Sequence, residues 1–508
     1  MRKFNLAPFI TQLSPYFHKL ALMSKTLALK NADPRTVCIL FITFLNITLF
    51  IHNVQFYKTP TKKSSSNSNL QTIFSNTDTK NTIAGYTIHP TEFPECRELY
   101  QGDFNNLSLE ENKAFTLFNL QHQPNLSGFL NFSSGIQNSD FVNIKISPKS
   151  ESSICTKLLE SRKYFTKPLS TEEANFPIAY SIVIHKNLEM FERQFRAIYQ
   201  PQNFYCIHLD AKSTPEFQQQ IKNFVSCFGD NVIEPQRHEK VYYAHYSRVM
   251  ADMHCLHALQ KFNYKYIFNL CGQDFPIKTN LEIVRDLKSL NGRDECESVD
   301  ITSTGKLGRV LKGYRLNTSV ENYGNTLIRD EKLDKPWSKF GPLGRDTGLF
   351  AGSAYFLLSK KSVDFIQTDK TVREFFAWSQ NSWSPDEHIW ATLFRYAPLP
   401  GSVSSHEKYE MNEAHARTRL VKWYGLDRKK DEKIDGNDQL VHNVALYEPC
   451  HGKWQRGTCV YGALDLKFLR DSKHWFANKF DQEVDAIAVD CLDVVLRTRA
   501  LQQAAEYL

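Results

Sequence analysis

Three short segments of this chain carry residues whose types suit group transfer from a nucleotide sugar. Ser384-Pro-Asp-Glu387 supplies a carboxylate that can accept a proton from an attacking hydroxyl. Arg456 and Lys479 supply two cations that can stabilise the negative charge of a departing diphosphate. Taken singly, Glu387 would be an ordinary first-turn helix residue and both cations would be surface residues. Together, a carboxylate base and two cations would suit a transfer reaction in which side chains, instead of a metal ion, hold a departing diphosphate.

The overall composition fits a globular protein with a large core. The chain has 508 residues, of which 42% are hydrophobic and 23% are charged. Its net charge of +7 is spread along the sequence without a dense basic cluster. This distribution argues against a protein that binds nucleic acid.

An apolar segment near the N-terminus predicts a membrane anchor. Residues 36–56 contain an uncharged stretch, 37–51, and with its flanks the segment approaches the ~20 residues needed to cross a bilayer. Basic residues outnumber acidic ones before it, which favours a cytoplasmic N-terminus. A signal peptide and a buried helix are the alternatives, but neither an early basic region nor a small-residue cleavage site is clear. We expect a single-pass type II membrane protein with a cytoplasmic tail at 1–35.

The segment after the anchor is expected to form a flexible stem over residues 57–90, because it is rich in Ser, Thr, Asn and Lys. Residues 91–508 would then form one lumenal domain. Ten of the eleven cysteines follow the anchor and lack the Cys-x-x-Cys spacing of zinc sites, so disulfides are favoured, with Cys450 and Cys459 close in sequence. Four N-glycosylation acceptors agree with a lumenal location: Asn106, Asn125, Asn131 and Asn317.

From about residue 177 onward, strand-like and helix-like patterns alternate. Buried strands are predicted over 179–185, 204–210, 232–241 and 264–270, and helices over 187–199, 217–228 and 246–262. This alternation indicates βαβ units and a mostly parallel sheet flanked by helices. Ligands of such sheets bind at the carboxyl ends of the strands, where His185, Asp210 and Asp274 lie.

Several segments closely resemble the β-1,6-N-acetylglucosaminyltransferases, with a likeness that runs from about residue 90 to 495. The resemblance implies a GT-A-like fold, inverting and metal-independent chemistry, UDP-GlcNAc as donor and a Golgi membrane location. It rests on segments 176–185, 201–210 and 269–278, and on Gly352-Ser-Ala-Tyr-Phe356, Ser384-Pro-Asp-Glu387 and Phe476-Ala-Asn-Lys-Phe-Asp481.

The resemblance assigns roles to individual residues of the donor site. It implies that Glu387 is the catalytic base, that Arg456 and Lys479 bind the diphosphate, and that Val183 and Asp210 line the uridine pocket. Many GT-A enzymes hold a divalent metal with Asp-x-Asp, but here Lys212 stands where the second carboxylate would be. A single carboxylate is a poor magnesium or manganese site, so no metal cofactor is expected.

On the acceptor side, the resemblance implies that Glu297, Lys306, Arg309 and Trp423 contact the glycan. The family pattern Trp-x-Tyr is replaced here by Trp423-Tyr424-Gly425, and the loop 427–438 is unusually charged. These departures leave the choice of acceptor open. The resemblance also implies one set of disulfides, with Cys271 free near the active site and Cys296 as an extra thiol: Cys96–Cys491, Cys155–Cys227, Cys206–Cys255 and Cys450–Cys459.

The implied reaction is transfer of N-acetylglucosamine to the 6-hydroxyl of GalNAc in mucin-type O-glycans, which gives a core 2 branch. I-type branching of galactose in polylactosamine is an alternative within the same class, and a xylosyltransferase is a weaker one. A non-catalytic lumenal lectin or chaperone is the alternative from another class. Joint presence of Glu387, Arg456 and Lys479 argues against it, because a pure binding protein needs no base. The oligomeric state, including a homodimer, stays open.

Overall fold

A six-stranded sheet lies at the centre of the protein. The computed structural model describes residues 82–83, 86–87, 96, 153–317, 327–335, 341–344, 347–403, 416–424 and 447–505, all within the unit Thr79–Leu508. The strands are β1 Thr82–Ile83, β2 Tyr86–Thr87, β3 Ile178–Ile184, β4 Phe204–Leu209, β5 Val232–Ile233, β6 Tyr266–Cys271, β7 Asp274–Pro276, β8 Glu295–Cys296, β9 Val299–Asp300, β10 Tyr314–Leu316, β11 Leu327–Arg329, β12 Phe350–Ala351, β13 Phe356–Ser359, β14 Leu420–Val421, β15 Lys453–Gln455, β16 Thr458–Val460 and β17 Phe476–Asn478.

Helices cover the sheet and carry much of the remaining chain. The α-helices are α1 Ser153–Ser161, α2 Thr171–Ala174, α3 Leu188–Ile198, α4 Pro215–Ser226, α5 Ser247–Leu259, α6 Asn280–Ser289, α7 Leu307–Leu311, α8 Lys360–Thr368, α9 Lys370–Ser379, α10 Asp386–Leu393, α11 Leu466–Asp471 and α12 Ala486–Ala505. Short 3-10 helices span Ile301–Ser303, Glu331–Leu333 and Ala463–Asp465.

The central sheet has the strand order β5-β4-β3-β6-β13-β8. Strands β5, β4, β3 and β6 run parallel, whereas β13 pairs antiparallel with β6, and β8 pairs antiparallel with β13. Every residue of β3 is buried, as expected for a strand that helices cover on both faces. The predicted mostly parallel α/β sheet is therefore confirmed.

One face of the sheet is a layer of stacked aromatic rings. Tyr180 on β3 lies in register with Tyr205 on β4 and Phe268 on β6. Its ring stacks on theirs at centroid distances of 5.3 Å and 5.9 Å. Phe195 of α3 packs on this layer, 5.0 Å from the Tyr205 ring and 5.3 Å from the Phe224 ring. Aromatic burial on this scale is a major source of core stability.

The opposite face of the sheet carries small or polar side chains next to the positions of the stacked rings. Because side chains alternate along a strand, the next residues in register, Ser181, Cys206 and Asn269, point to the other side. There they meet α5. Cys206 forms a disulfide with Cys255, and Ser181 Oγ donates to Asp252 Oδ1 at 3.1 Å. Helix α5 is therefore attached to the sheet covalently and through a buried carboxylate.

The prediction of a strand over 232–241 is wrong beyond Ile233, where β5 ends. The following segment binds to β4 through imidazole rings instead of a strand ladder. His238 Nδ1 accepts a hydrogen bond from the Leu209 N–H at 3.1 Å, and His208 Nε2 accepts one from the Glu239 N–H at 2.8 Å. Burial lowers the pKa of His208 to about 3, so its ring stays neutral and able to accept.

Four disulfides join the pairs that the family resemblance implies: Cys96–Cys491, Cys155–Cys227, Cys206–Cys255 and Cys450–Cys459. Cys271 and Cys296 are the free cysteines of the described ranges. Across these ranges, no helix combines the length and apolarity needed to span a membrane. The predicted tail and anchor lie outside the described residues, as does most of the predicted stem, in which only β1 and β2 are described.

Loss of the Phe195 ring should destabilise the protein strongly, because the side chain is fully buried among other rings. Phe195→Ala is expected to reduce the free energy of unfolding by about 3–5 kcal/mol through lost burial and a residual cavity. Phe195→Leu, which keeps most of the volume, should lose clearly less. Chemical unfolding with intact disulfides measures both. Equal losses for the two variants would contradict the packing account.

Candidate active site

Glu387 lies in the first turn of α10, shortly after a left-handed backbone conformation at Ser384. Ser384 adopts a left-handed φ of 47°, and its N–H donates to the Ala244 carbonyl at 2.8 Å. The Glu387 N–H donates to the Ser384 carbonyl at 3.0 Å. These contacts present the Glu387 carboxylate at the N-terminal end of α10, where it keeps 31% of its side-chain surface exposed. A partly exposed carboxylate is accessible to a substrate hydroxyl.

Two predicted acceptor-side cations contact the Glu387 carboxylate directly. Lys306 Nζ lies 3.0 Å and Arg309 Nη1 lies 3.2 Å from Glu387 Oε2. The Gly352 backbone contacts both Glu387 and Lys306. Its N–H donates to the Glu387 backbone carbonyl at 2.8 Å, and its carbonyl accepts from Lys306 Nζ at 3.2 Å. The Glu297 backbone packs against Gly352. The structure therefore brings Glu297, Lys306, Arg309 and Glu387 together.

The second carboxyl of the pair, Asp386, faces α5. Desolvation by the surrounding protein, reinforced by repulsion from Glu387, raises the pKa of Asp386 to about 7, although the charge of Arg248 acts in the opposite direction. Arg248 Nη1 also donates to Asp252 at 2.6 Å. The neighbouring carboxyls thus have different environments: Glu387 contacts two cations, whereas desolvation raises the pKa of Asp386.

The predicted uridine residues lie at the carboxyl ends of β3 and β4. Val183 is in register with Cys271 of β6, and the Asp210 N–H donates to the Ile184 carbonyl at 2.9 Å. Asp210 Oδ1 accepts from the backbone N–H groups of Lys212 and Val241 at 2.9 Å and 3.2 Å. Lys212 Nζ lies 3.3 Å from Asp210 Oδ2. Asp210 is therefore held in place, with an ammonium group beside its second oxygen.

Arg456 and Lys479 are placed by two neighbouring backbone segments. Arg456 and Gly457 form the two-residue turn between β15 and β16 and have φ values of 54° and 77°, the pattern of a type I′ hairpin. The Lys479 N–H donates to the Cys459 carbonyl on β16 at 3.3 Å. Burial, followed by the positive charge of Arg456, lowers the pKa of Lys479. Two cations that repel each other favour an anion between or beside them.

Cys271 lies between the residues that the family resemblance assigns to the donor. Its thiol accepts a contact from Asn478 Nδ2 at 3.4 Å, directly before Lys479 in the chain. Cys271 also lies in register with Val183, as described above. Burial raises the pKa of the Cys271 thiol to about 12, so the sulfur stays protonated. Val183, Asp210, Arg456 and Lys479 are thus gathered around the ends of the central strands.

Other predicted residues occupy different positions. Trp423, 39% exposed, pairs with Thr458 of β16, so its backbone lies beside the hairpin that carries Arg456 and not beside the Glu387 group. Asp274 is fully buried in β7 and lies 3.3 Å from Arg419, so it is a structural ion-pair residue and not a ligand at the strand end. Asn317 is partly exposed after β10, and Asn106, Asn125 and Asn131 lie outside the described residues.

Arg248 is the residue that sequence reasoning missed. In the sequence, Arg248 and Asp252 look like an ordinary i, i+4 surface pair of a helix. In the structure, Asp252 is buried against β3 and β6, and the positive charge of Arg248 opposes the rise in the pKa of Asp386. No spacing pattern could link residue 248 to residue 386, since only the tertiary fold brings them together.

Comparison with known proteins adds independent information. Residues 178–467 match the family model described as "Core-2/I-Branching enzyme". The chain belongs to this family. It is 38% identical over 417 residues to the human "Beta-1,3-galactosyl-O-glycosyl-glycoprotein beta-1,6-N-acetylglucosaminyltransferase", covering 82% of this chain and 87% of the relative. A bovine protein of the same name is 43% identical over 351 residues, covering 68% and 76%.

The Core-2/I-branching family match confirms the resemblance inferred from the sequence segments. A zebrafish relative, "Beta-1,3-galactosyl-O-glycosyl-glycoprotein beta-1,6-N-acetylglucosaminyltransferase 4", is 39% identical over 351 residues, with 69% of this chain and 76% of the relative covered. The matched region 178–467 contains the Glu387 group and the Arg456 hairpin, whereas Lys479 follows it. This chain is accordingly a member of a glycosyltransferase family.

Gly352 cannot carry a side chain without disturbing the group around Glu387. A Cβ at this position would lie 2.0 Å from the Glu297 carbonyl oxygen, so one of the two backbones would have to move. Gly352→Ala should reduce the free energy of unfolding by about 1–3 kcal/mol, the usual cost of overpacking. At Gly308, in the nearby helix α7, a Cβ would have no other atom within 4 Å. Gly308→Ala should therefore increase the free energy of unfolding by about 0.5–1 kcal/mol. Chemical unfolding of both variants measures the contrast, and equal effects would contradict it.

The raised pKa of Asp386 predicts a pH-dependent contribution to stability. Between its ordinary pKa of 3.8 and about 7, Asp386 binds a proton in the folded protein but not in the unfolded chain. Its contribution to the free energy of unfolding therefore decreases as the pH rises through this window. Asp386→Asn removes the titrating group. As the pH rises from about 5 to about 7, the Tm of the variant should therefore increase relative to the Tm of the wild type. Parallel Tm–pH curves would refute the assignment.

Proposed function

We propose that this protein is an inverting, metal-independent transferase that moves N-acetylglucosamine from UDP-GlcNAc to the 6-hydroxyl of GalNAc in mucin-type O-glycans. The observation that carries the proposal is the placement of Glu387 against Lys306 and Arg309, at 3.0 Å and 3.2 Å, in a chain that also presents Arg456 and Lys479 as neighbouring cations. The names of the relatives, which specify β-1,6-N-acetylglucosaminyl transfer to O-glycosyl glycoproteins, supply the sugar and the linkage.

Glu387 would act as the general base. In a single in-line displacement, the acceptor oxygen bonds to the anomeric carbon of GlcNAc while the bond from that carbon to the diphosphate oxygen breaks. The acceptor hydroxyl transfers its proton to the Glu387 carboxylate as the new bond forms. Contacts with Lys306 and Arg309 fix the carboxylate in one orientation, so the base is positioned before the acceptor arrives.

The leaving UDP would be stabilised by Arg456 and Lys479. Fixed cations beside the developing negative charge lower the barrier without reorganising during the reaction. The hairpin turn and the Cys450–Cys459 disulfide restrict where the Arg456 backbone can move. We assign the uridine to Val183 and Asp210 at the adjacent strand ends, in keeping with ligand binding at the carboxyl edge of parallel sheets.

Metal independence is supported by the surroundings of Asp210. One of its oxygens accepts two backbone hydrogen bonds, and the ammonium group of Lys212 lies beside the other. A divalent cation at this position would be repelled by Lys212 and would find one carboxylate where sites of this type usually offer more oxygen ligands. The parallel order β5-β4-β3-β6 also fits the GT-A-like fold that we assign.

We place the protein in the Golgi membrane, with residues 36–56 as a type II anchor and the catalytic unit in the lumen. Four disulfides support an oxidising compartment, because cytosolic conditions keep thiols reduced. The basic residues before the anchor support a cytoplasmic N-terminus.

The test is transfer to Galβ1-3GalNAc-aryl by the full chain, expressed in a eukaryotic host, with UDP-GlcNAc and excess EDTA. Branched product should form at an undiminished rate with EDTA, and Glu387→Gln should reduce kcat by about 100- to 10,000-fold because the base is lost. Product mass and glycosidase digestion identify the linkage. Transfer to polylactosamine alone would keep the mechanism and change the acceptor. Binding of UDP without any transfer would support the non-catalytic alternative.

A further inference from the structure

Lys422 and Asp465 form a fully buried ion pair that has no role in the mechanism above. Lys422 Nζ lies 2.8 Å from Asp465 Oδ1, and neither side chain has any exposed surface. The ammonium group also donates to the Pro449 carbonyl at 3.1 Å and lies 4.1 Å from the centroid of the Phe468 ring. Removing two charges from water is costly, and apolar residues of similar volume often stabilise a core at least as well. Stability alone therefore does not account for this pair.

The ion pair holds both ends of the β15–β16 hairpin. Before β15, its ammonium group binds the carbonyl of Pro449, and its carboxylate accepts a hydrogen bond from the His451 N–H at 3.2 Å. After β16, the same carboxylate oxygen accepts a hydrogen bond from the Gly462 N–H at 2.9 Å. The residue between the first two contacts, Cys450, is joined by a disulfide to Cys459 of β16. The two charges thus fix the base of the hairpin whose turn carries one proposed diphosphate cation.

The backbone around Lys422 also contacts the strand that leads to the other cation. The Lys422 carbonyl accepts from the Cys459 N–H at 3.0 Å, and the Cys459 carbonyl accepts from the Lys479 N–H at 3.3 Å. Directly before Lys422, Val421 of β14 pairs with Asn478 of β17. The segment that carries the buried lysine therefore contacts both β16 and β17, the strands next to the two proposed diphosphate cations.

The two cations must be held against their mutual repulsion. After burial, the positive charge of Arg456 is the next cause that lowers the pKa of Lys479. Like charges in a partly desolvated site favour a wider separation unless the backbone prevents it. Strands β15 and β16 form a two-stranded sheet of their own, so the central sheet does not fix the Arg456 turn. Contacts at the base of the hairpin, such as those of the ion pair, therefore have to fix it.

We propose that Lys422 and Asp465 are positioning residues for the donor: their ion pair fixes the spacing of Arg456 and Lys479, and so makes the site bind a nucleoside diphosphate more tightly than the monophosphate. This inference rests on the proposed function, because it concerns the same two cations. A diphosphate carries two charged groups that can meet two cations at once, whereas a monophosphate carries one. The affinity for the diphosphate therefore depends more strongly on the distance between the cations.

The decisive variant is Lys422→Met/Asp465→Asn, which removes both charges and keeps similar side-chain volumes. The amide oxygen at position 465 can still accept the Gly462 and His451 N–H groups. With the full chain purified in detergent, isothermal titration calorimetry gives the Kd of UDP and of UMP. The Kd of UDP should rise about 3- to 10-fold, as expected when a hydrogen bond to a charged group is weakened. The Kd of UMP should change by less than about 2-fold.

A second buried ion pair provides the matched control. Arg162, directly after α1, pairs with Glu192 of α3, and neither side chain is more than 6% exposed. Arg162→Met/Glu192→Gln therefore also removes two buried charges, but away from the β15–β16 hairpin. The ratio of the UDP and UMP dissociation constants should stay at the wild-type value in this variant. An equal change of the ratio in both double variants would overturn the proposal in favour of a general loss of stability.

Arg456→Ala shows whether the ion pair acts through the cation in the turn. If it does, Lys422→Met/Asp465→Asn should raise the Kd of UDP clearly less in the Arg456→Ala background than in the wild type, because the effects of coupled residues are not additive. Fully additive effects would contradict positioning. Thermal unfolding verifies that each variant is folded, and Asp465→Asn alone replaces the double variant if its yield is low.

The failure of the inference and the failure of the proposed function give different results. If Arg456→Ala weakens UDP binding but Lys422→Met/Asp465→Asn does not, the inference is overturned and the proposed function stands. If Arg456→Ala binds UDP as tightly as the wild type, the diphosphate role of Arg456 in the proposed function is refuted, and the inference with it.

Discussion

The geometry of the site depends on the hydrogen bonds that the buried carboxylate of Asp252 accepts. It accepts hydrogen bonds from Ser181 Oγ at 3.1 Å, Asn269 Nδ2 at 3.2 Å and Arg248 Nη1 at 2.6 Å. The first two donors belong to neighbouring central strands and the third to α5. Burial raises the pKa of Asp252, and these three donors act against that shift. A carboxylate in this position is costly to bury unless it is fully paired, so the sheet, α5 and Arg248 are held in one arrangement. The charge of Arg248 in turn lowers the pKa of Asp386, which lies in the same helix as Glu387.

The two halves of the proposed reaction are built by different kinds of structure. The donor side lies at the ends of parallel strands, where Val183 and Asp210 follow from the register of the sheet. The acceptor side is made by α7, α10 and the loops around them, linked by single backbone hydrogen bonds such as Ser384 N–H to the Ala244 carbonyl. Strand ends suit a donor that is the same for every reaction. Loops can change length and composition without disturbing the sheet, so the proposed acceptor side can vary while the proposed donor side is kept.

The sequence contained enough information to predict the central strands but not the contacts between distant segments. The apolar run at 179–185 predicted β3, which spans Ile178–Ile184, because a strand covered on both faces leaves a continuous hydrophobic pattern. The run after Val232 misled the strand prediction, since His208 and His238 accept backbone hydrogen bonds that a strand partner would otherwise accept. Eight cysteines allow 105 pairings, so their connectivity followed only from the family resemblance. The influence of Arg248 on Asp386 left no signal in the sequence, because it joins residues more than 100 positions apart that the fold brings together.

The disulfide between Cys96 and Cys491 has a consequence for the covalent continuity of the protein. It spans 395 residues and ties the chain just after the predicted stem to α12, close to the C-terminus. A single proteolytic cut anywhere between these cysteines would leave both pieces in one molecule until the bridge is reduced. Tension applied through the N-terminal segment would likewise be transmitted to α12 rather than to β3, the first strand of the central sheet. A nick between the two cysteines would therefore not separate the N-terminal segment, with its predicted anchor, from the part that carries the proposed diphosphate-binding cations.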